Sequence, residues 1–133
     1  MNEHWDVLVV DDEPVVRDAI ARVLSDEGLY AVCVGSGEDA LAHAALEHCR
    51  LVICDLMLPG MSGLEVLGAI RARRPRVPLL AITGYATSEV AASAVGIGGT
   101  TFLAKPFDPD ELLEKVRRVL EREDGAREKE ERS

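Results

Sequence analysis

Short apolar runs alternate with segments of helical period from one end of the chain to the other, and this alternation limits the possible folds more than any other property. The runs fall at residues 6–10, 30–34, 51–54, 78–82 and 100–103. Between the first two, Val16, Ala19, Ile20, Val23 and Leu24 recur at helical spacing, with Pro14 suited to a first turn and Gly28 just past the end. A second helix carries Ala40, Leu41, Ala44 and Ala45. The third opens on Ser62-Gly63-Leu64-Glu65, a capping-box pattern, and buries Leu64, Leu67 and Ile70. A fourth, over about residues 87–95, is short, rich in Ala and Ser and followed by Gly96-Ile97-Gly98-Gly99, so it is expected to be the least stable element. The fifth takes Asp108 as cap and Pro109 in its first turn, and buries Leu112, Leu113, Val116, Val119 and Leu120.

Strict alternation of this kind requires crossover connections and a parallel sheet. The expected architecture is α/β: a doubly wound, five-stranded parallel sheet with five helices and the flavodoxin-like strand order 2-1-3-4-5. At 133 residues the chain has room for one core and no second domain. We place that domain at residues 1–121, with residues 122–133 as a charged extension or linker, because no large apolar residue follows Leu120.

Charge and composition exclude several functions. A formal net charge of −9 repels nucleic acid and anionic lipid, so direct nucleic-acid binding by this chain is not expected. No run approaches the length of about 20 apolar residues that a membrane span needs. Residues 1–6 lack the basic start and apolar stretch of a signal peptide. Cys33, Cys49 and Cys54 have no metal-ligand spacing and fit reduced, buried thiols, which points to a cytoplasmic protein. His4, His43 and His48 form no catalytic pattern and are expected at the surface, with Trp5 packing at the sheet edge.

The strand ends carry the chemistry. The first apolar run meets Asp11-Asp12, the third meets Asp55, the fourth delivers Thr83 and the small Gly84, and the fifth meets Lys105-Pro106. In open α/β sheets ligands bind outside the carboxyl ends of the strands, where the strand order reverses. Three carboxylates crowd that crevice. At about 4 Å and an effective dielectric near 20, each like-charged pair costs roughly 4 kcal/mol. A bound cation or raised pKa values must compensate, and Mg²⁺, a hard ion that favours oxygen ligands, fits such a cluster. Taken singly, Asp11 or Asp12 could be a turn or helix cap, Thr83 a cap and Lys105 a solvated loop residue. Together they read as a site.

The segments VLVVDDEP, LVICDLMLPGMSGLEVL, AITGYA and FLAKPFD resemble the response-regulator receiver domain of two-component signalling over nearly all of residues 6–120. The resemblance implies a phosphoacceptor switch in which Asp55 receives a phosphoryl group from a sensor histidine kinase, a histidine phosphotransfer protein or a small phosphodonor. It implies Mg²⁺ held by Asp12 directly, Asp11 mainly through water, Asp55 and the backbone carbonyl of Met57. Lys105 and the Thr83 hydroxyl would hold the phosphoryl oxygens beside Gly84, with a cis peptide before Pro106. In the family the Thr and an aromatic of the fifth strand move together as the switch, and the matching residue is Phe102, which reads equally as a plain core Phe. A surface of fourth helix, fifth strand and fifth helix is then the expected partner or homodimer face. Met57 and Tyr85 flank the pocket and are expected to slow attack by water. The chain would promote its own phosphorylation and dephosphorylation and turn over no external substrate.

Two other classes fit less well. A haloacid-dehalogenase-like phosphatase needs an Asp-x-Asp pattern and usually a cap domain, whereas Asp11 and Asp12 are adjacent and the chain is too short. An FMN carrier needs a first loop that embraces phosphate, and Asp11-Asp12-Glu13-Pro14 would repel it.

Overall fold

Strands covered by helices on both faces must be apolar on both, and the unbroken Val, Leu and Ile runs of this chain meet that requirement. A computed structural model describes residues 5–84 and 100–132, with side chains described as far as Arg122. Strands β1 (Val7–Val10), β2 (Ala31–Val34), β3 (Leu51–Asp55), β4 (Leu79–Thr83) and β5 (Thr100–Ala104) form one sheet in the order β2-β1-β3-β4-β5. Every pairing is parallel. The flavodoxin-like order expected from the sequence is therefore the order observed.

Period-two alternation sorts the sheet into two cores. Leu8, Val10, Val52, Cys54, Leu79 and Ala81 face one side, with Ala40, Leu46, Val66, Leu67 and Ile70. Val7, Val9, Leu51, Ile53, Leu80 and Ile82 face the other, with Ile20, Leu24, Leu112 and Val116. The first side is covered by α2 (Gly37–Ala42) and α3 (Gly63–Arg73), the second by α1 (Pro14–Asp26) and the C-terminal helix (Pro109–Arg132). That last helix has no break at residue 121, so the charged extension continues it.

Local signals act as their chemistry dictates. Pro14 opens α1, and Gly28, at φ +77°, follows its end in a conformation that side chains disfavour. Ser62 Oγ accepts from the Glu65 N–H at 3.2 Å, and Asp108 Oδ1 accepts from the Glu111 N–H at 2.8 Å. The second helix departs from expectation. It stops at Ala42, His43 turns to extended backbone, and a separate 3₁₀ turn, Ala44–Glu47, follows. His43 is half-buried rather than a plain surface residue: its Nδ1 accepts from the Ala45 N–H at 3.0 Å, and its ring meets Trp5 edge-on at 5.2 Å. Leu46, not Ala44, then fills the core, while Ala19 on α1 faces solvent. The helix expected over residues 87–95, the glycines after it and Tyr85 lie outside the described residues.

Gly63 sits where α3 meets the end of β3. A Cβ there would collide with the Asp55 carbonyl and the Leu56 Cα, both backbone and unable to yield. Gly68, on the same helix, has nothing within 4 Å of its virtual Cβ. Gly63→Ala is therefore expected to destabilise by about 1–3 kcal/mol. Gly68→Ala should stabilise by up to about 1 kcal/mol. Urea unfolding of the two variants checks this, and shifts of the same sign would contradict it.

Candidate functional site

Parallel register brings the strand ends to one edge. Val10 pairs with Cys54, Asp55 with Ile82, and Thr83 with Ala104, so Asp11, Asp55, Thr83 and Lys105 all emerge at the carboxyl side. Alternation carries Asp11 and Asp55 onto the face of Val9 and Ile53, and Thr83 onto the face of Ala81 and Phe102.

Asp55 is 3% exposed and Asp11 fully buried. One Asp55 oxygen, Oδ1, accepts from the Met57 N–H at 2.9 Å, while Oδ2 accepts from Lys105 Nζ at 2.9 Å. Asp11 Oδ1 accepts from the Glu13 N–H at 2.9 Å. Its Oδ2 lies 3.3 Å from Lys105 Nζ but outside hydrogen-bonding geometry, and it has no hydrogen-bond partner among the described residues. Lys105 also lies 3.5 Å from Glu13 Oε1. Its own backbone N–H donates to the Thr83 carbonyl at 2.8 Å, and its peptide to Pro106 is cis.

One ammonium thus serves three carboxylates, and the charges do not balance. Burial pushes the Asp11 carboxyl up; the Glu13 N–H and the Lys105 charge pull it down, the Asp55 charge adds to the rise, and the net result is a raised pKa. Burial pulls the Lys105 ammonium down, but the hydrogen bond and charge of Asp55, with Asp11 behind it, hold it above the ordinary lysine range. The neighbouring Cys54 thiol is pushed up by burial and by both acids, which leaves it protonated and inert.

Carboxylate oxygens of Asp11, Asp12, Glu13 and Asp55 come within 4.8 Å of one another. Together with Asp11 Oδ2, which is ion-paired with Lys105 but accepts no hydrogen bond among the described residues, they make an all-oxygen donor set of the kind a hard divalent cation takes, so the cluster is compatible with Mg²⁺. Asp12 and Glu13 are exposed, leaving the cluster open to solvent on that side. Met57 is 59% exposed at its rim. Thr83 is buried and Gly84 exposed at the end of β4, and Phe102 is half-buried against the core beside Ala81. Tyr85 lies outside the described residues. Glu13 joins the cluster beyond the acids expected at the strand ends; it stands directly after the Asp pair, at the N-cap of α1, where its side chain makes no cap.

The sequence profile of the response regulator receiver domain matches residues 7–117. The chain belongs to this family, the phosphoacceptor module of two-component signalling. It is 37% identical over 116 residues to the probable transcriptional regulatory protein TcrX of Mycobacterium tuberculosis, covering 87% of this chain and 50% of that protein. Similarity to the nitrogen assimilation regulatory protein NtrX of Azorhizobium caulinodans is 37% identity over 118 residues, 87% of this chain and 26% of that one. The solved structure of NtrX from Brucella abortus matches with a TM-score of 0.90 at 36% identity, covering 98% of this chain and 30% of that chain. Chemotaxis protein CheY4 of Vibrio cholerae matches with a TM-score of 0.81 at 31% identity, covering 88% and 99%. The chain spans about half the length of TcrX and about a quarter of that of the Azorhizobium NtrX. No helix among the described residues is long and apolar enough to cross a membrane.

A buried carboxyl whose folded pKa exceeds its unfolded value of about 3.9 costs stability once it is charged. That cost is absent below the unfolded value, where both states are protonated, and grows as pH rises through the raised folded value. Asp11→Asn, close in shape to the protonated acid, is therefore expected to be more stable than wild type at pH 7 and to lose this advantage below about pH 4. Denaturant unfolding at the two pH values measures it; equal stability at pH 7 would mean that Lys105 compensates Asp11 fully.

Proposed function

We propose that this chain is a signalling switch that takes a phosphoryl group on Asp55 in a Mg²⁺-dependent reaction. The observation that carries the assignment is the placement of Asp55: a buried carboxylate with one oxygen on the Met57 N–H and the other on Lys105, inside the acid cluster. A carboxylate oxygen of Asp55 attacks phosphorus, a P–O bond forms, and the P–N bond of a partner's phosphohistidine breaks. The electron pair returns to the imidazole, which is protonated as it leaves. Asp11, Asp12, Asp55 and the Met57 carbonyl would hold the cation, whose charge offsets that of the transferring group. Lys105 has only to exchange Asp55 Oδ2 for a phosphoryl oxygen, and Thr83 and Gly84 line the opposite side. Positioning and charge compensation are what phosphoryl transfer demands of a protein.

The donor is a sensor histidine kinase or histidine phosphotransfer protein, in keeping with the family. The phosphoryl group adds about −1.5 to −2 charge, and we read Thr83 and Phe102, which share a sheet face, as the pair that reports it. The output is then a change of partner or homodimer contacts at the fifth strand, the C-terminal helix and the segment between Thr83 and Thr100. We take residues 1–121 as the switch and 122–133 as its extension, working in the cytoplasm. Met57 and Tyr85 slow hydrolysis by crowding the attacking water.

Incubation with acetyl phosphate should add one phosphoryl mass to wild type when Mg²⁺ is present and none when it is chelated, with no addition to Asp55→Ala. Equal labelling of Asp55→Ala would overturn the assignment. Met57→Ala is expected to lose the label several-fold faster than wild type, because a smaller side chain admits water. An unchanged lifetime would remove Met57 from that role.

A further inference from the structure

The acid cluster needs its loop held rigidly, yet Asp12 and Glu13 are exposed and the side chain of Glu13 does not cap α1. Besides the Glu13 N–H on Asp11 Oδ1, a residue outside the cluster holds the loop. Arg17, on the first turns of α1, is half-buried and its Nη1 donates to the Asp11 carbonyl at 2.8 Å. That carbonyl belongs to the peptide joining Asp11 to Asp12. On the other side of the same residue, the Asp11 N–H donates to the Val34 carbonyl of β2 at 3.1 Å. The backbone of Asp11 is thus clamped between the edge strand and α1, and the peptide plane that aims Asp12 cannot rotate without breaking a charge-assisted bond.

A second, independent feature makes room for this clamp. Gly35 directly follows Val34, and a Cβ on it would come within 2.9 Å of Arg17 Nη1. Any side chain there pushes against the guanidinium. The guanidinium contact that bears on the acids is this bond to the Asp11 backbone carbonyl, so Arg17 acts on the loop through its peptide rather than through a carboxylate.

We propose that Arg17 is a positioning residue of the phosphoacceptor site: by clamping the Asp11 carbonyl it fixes the Asp11-Asp12 pair in the geometry that takes up the divalent cation, with Gly35 as the space reserved for it. This deepens the proposed function and rests on the acid cluster being a Mg²⁺ site. Removing hydrogen-bonding partners one step from a metal ligand typically weakens metal binding by 10–100-fold, and Arg17 acts on the backbone between two ligands.

The test is Mg²⁺ affinity of the full chain, followed by the amide chemical shifts of Asp11, Asp12 and Glu13, for wild type, Arg17→Met, Gly35→Ala and the double variant. Far-UV circular dichroism and urea unfolding identify the folded variants that are scored. Arg17→Met should weaken Mg²⁺ binding roughly tenfold. Gly35→Ala should weaken it in the same direction although it removes no charge and no donor. The double variant should bind no more weakly than Arg17→Met alone, since both changes break one clamp. Folded variants that bind Mg²⁺ within twofold of wild type, or losses that simply add, would overturn the proposal and leave the phosphoacceptor assignment standing. A wild type that takes up no Mg²⁺ would overturn both.

Discussion

The contact on which the site depends is the one between the Lys105 ammonium and the buried carboxylates of Asp55 and Asp11. Without it two acids would stand side by side out of water with no compensating charge, at a cost of several kcal/mol. With it the cluster is held together but remains short of positive charge, as the raised Asp11 carboxyl and its Oδ2, ion-paired but without a hydrogen bond among the described residues, record. That deficit is what a divalent cation and a phosphoryl group would rearrange. A fold that satisfied the acids completely would have no reason to respond to either.

The sheet makes this imbalance possible. Both faces of β1 and β3 are closed by helices, so the two strand ends bury the carboxylates of Asp11 and Asp55 where charges interact more strongly than in water, while Asp12 and Glu13 stay exposed. Register then decides which groups work together: Asp11 and Asp55 leave the sheet on one face, Thr83 and Phe102 on the other. Asp55 and the residues proposed to report its charge are thus rooted on opposite faces of the sheet, at neighbouring strand ends. Coupling would pass through β4 and its bond from Lys105 to the Thr83 carbonyl, the backbone contact that joins the two strand ends.

Much of this was legible in the sequence because it follows from periodicity and from residue type at strand ends. The order of elements, the caps at Ser62 and Asp108, and the convergence of Asp11, Asp55, Thr83 and Lys105 needed no coordinates. What escaped the sequence was set by side chains acting on distant or non-repeating backbone. His43 ends α2 because its own ring nitrogen caps the turn that follows, a choice invisible to a helical pattern of alanines. Arg17 looks like an ordinary helix residue until its guanidinium is found on the Asp11 carbonyl, and Gly35 looks like a turn residue until its missing Cβ is seen to make room for it. Glu13 was legible as a neighbour of the acids, but its contact with Lys105, 92 residues away, was not.

On the proposed function, this imbalanced cluster reacts at one carboxylate, that of Asp55. Borohydride reduction of the phosphorylated protein converts an acyl phosphate to the corresponding alcohol, which peptide mapping locates to a single residue. Homoserine is expected at position 55, with unmodified aspartate at 11 and 12. Homoserine at 11 or 12 with Asp55 untouched would contradict it.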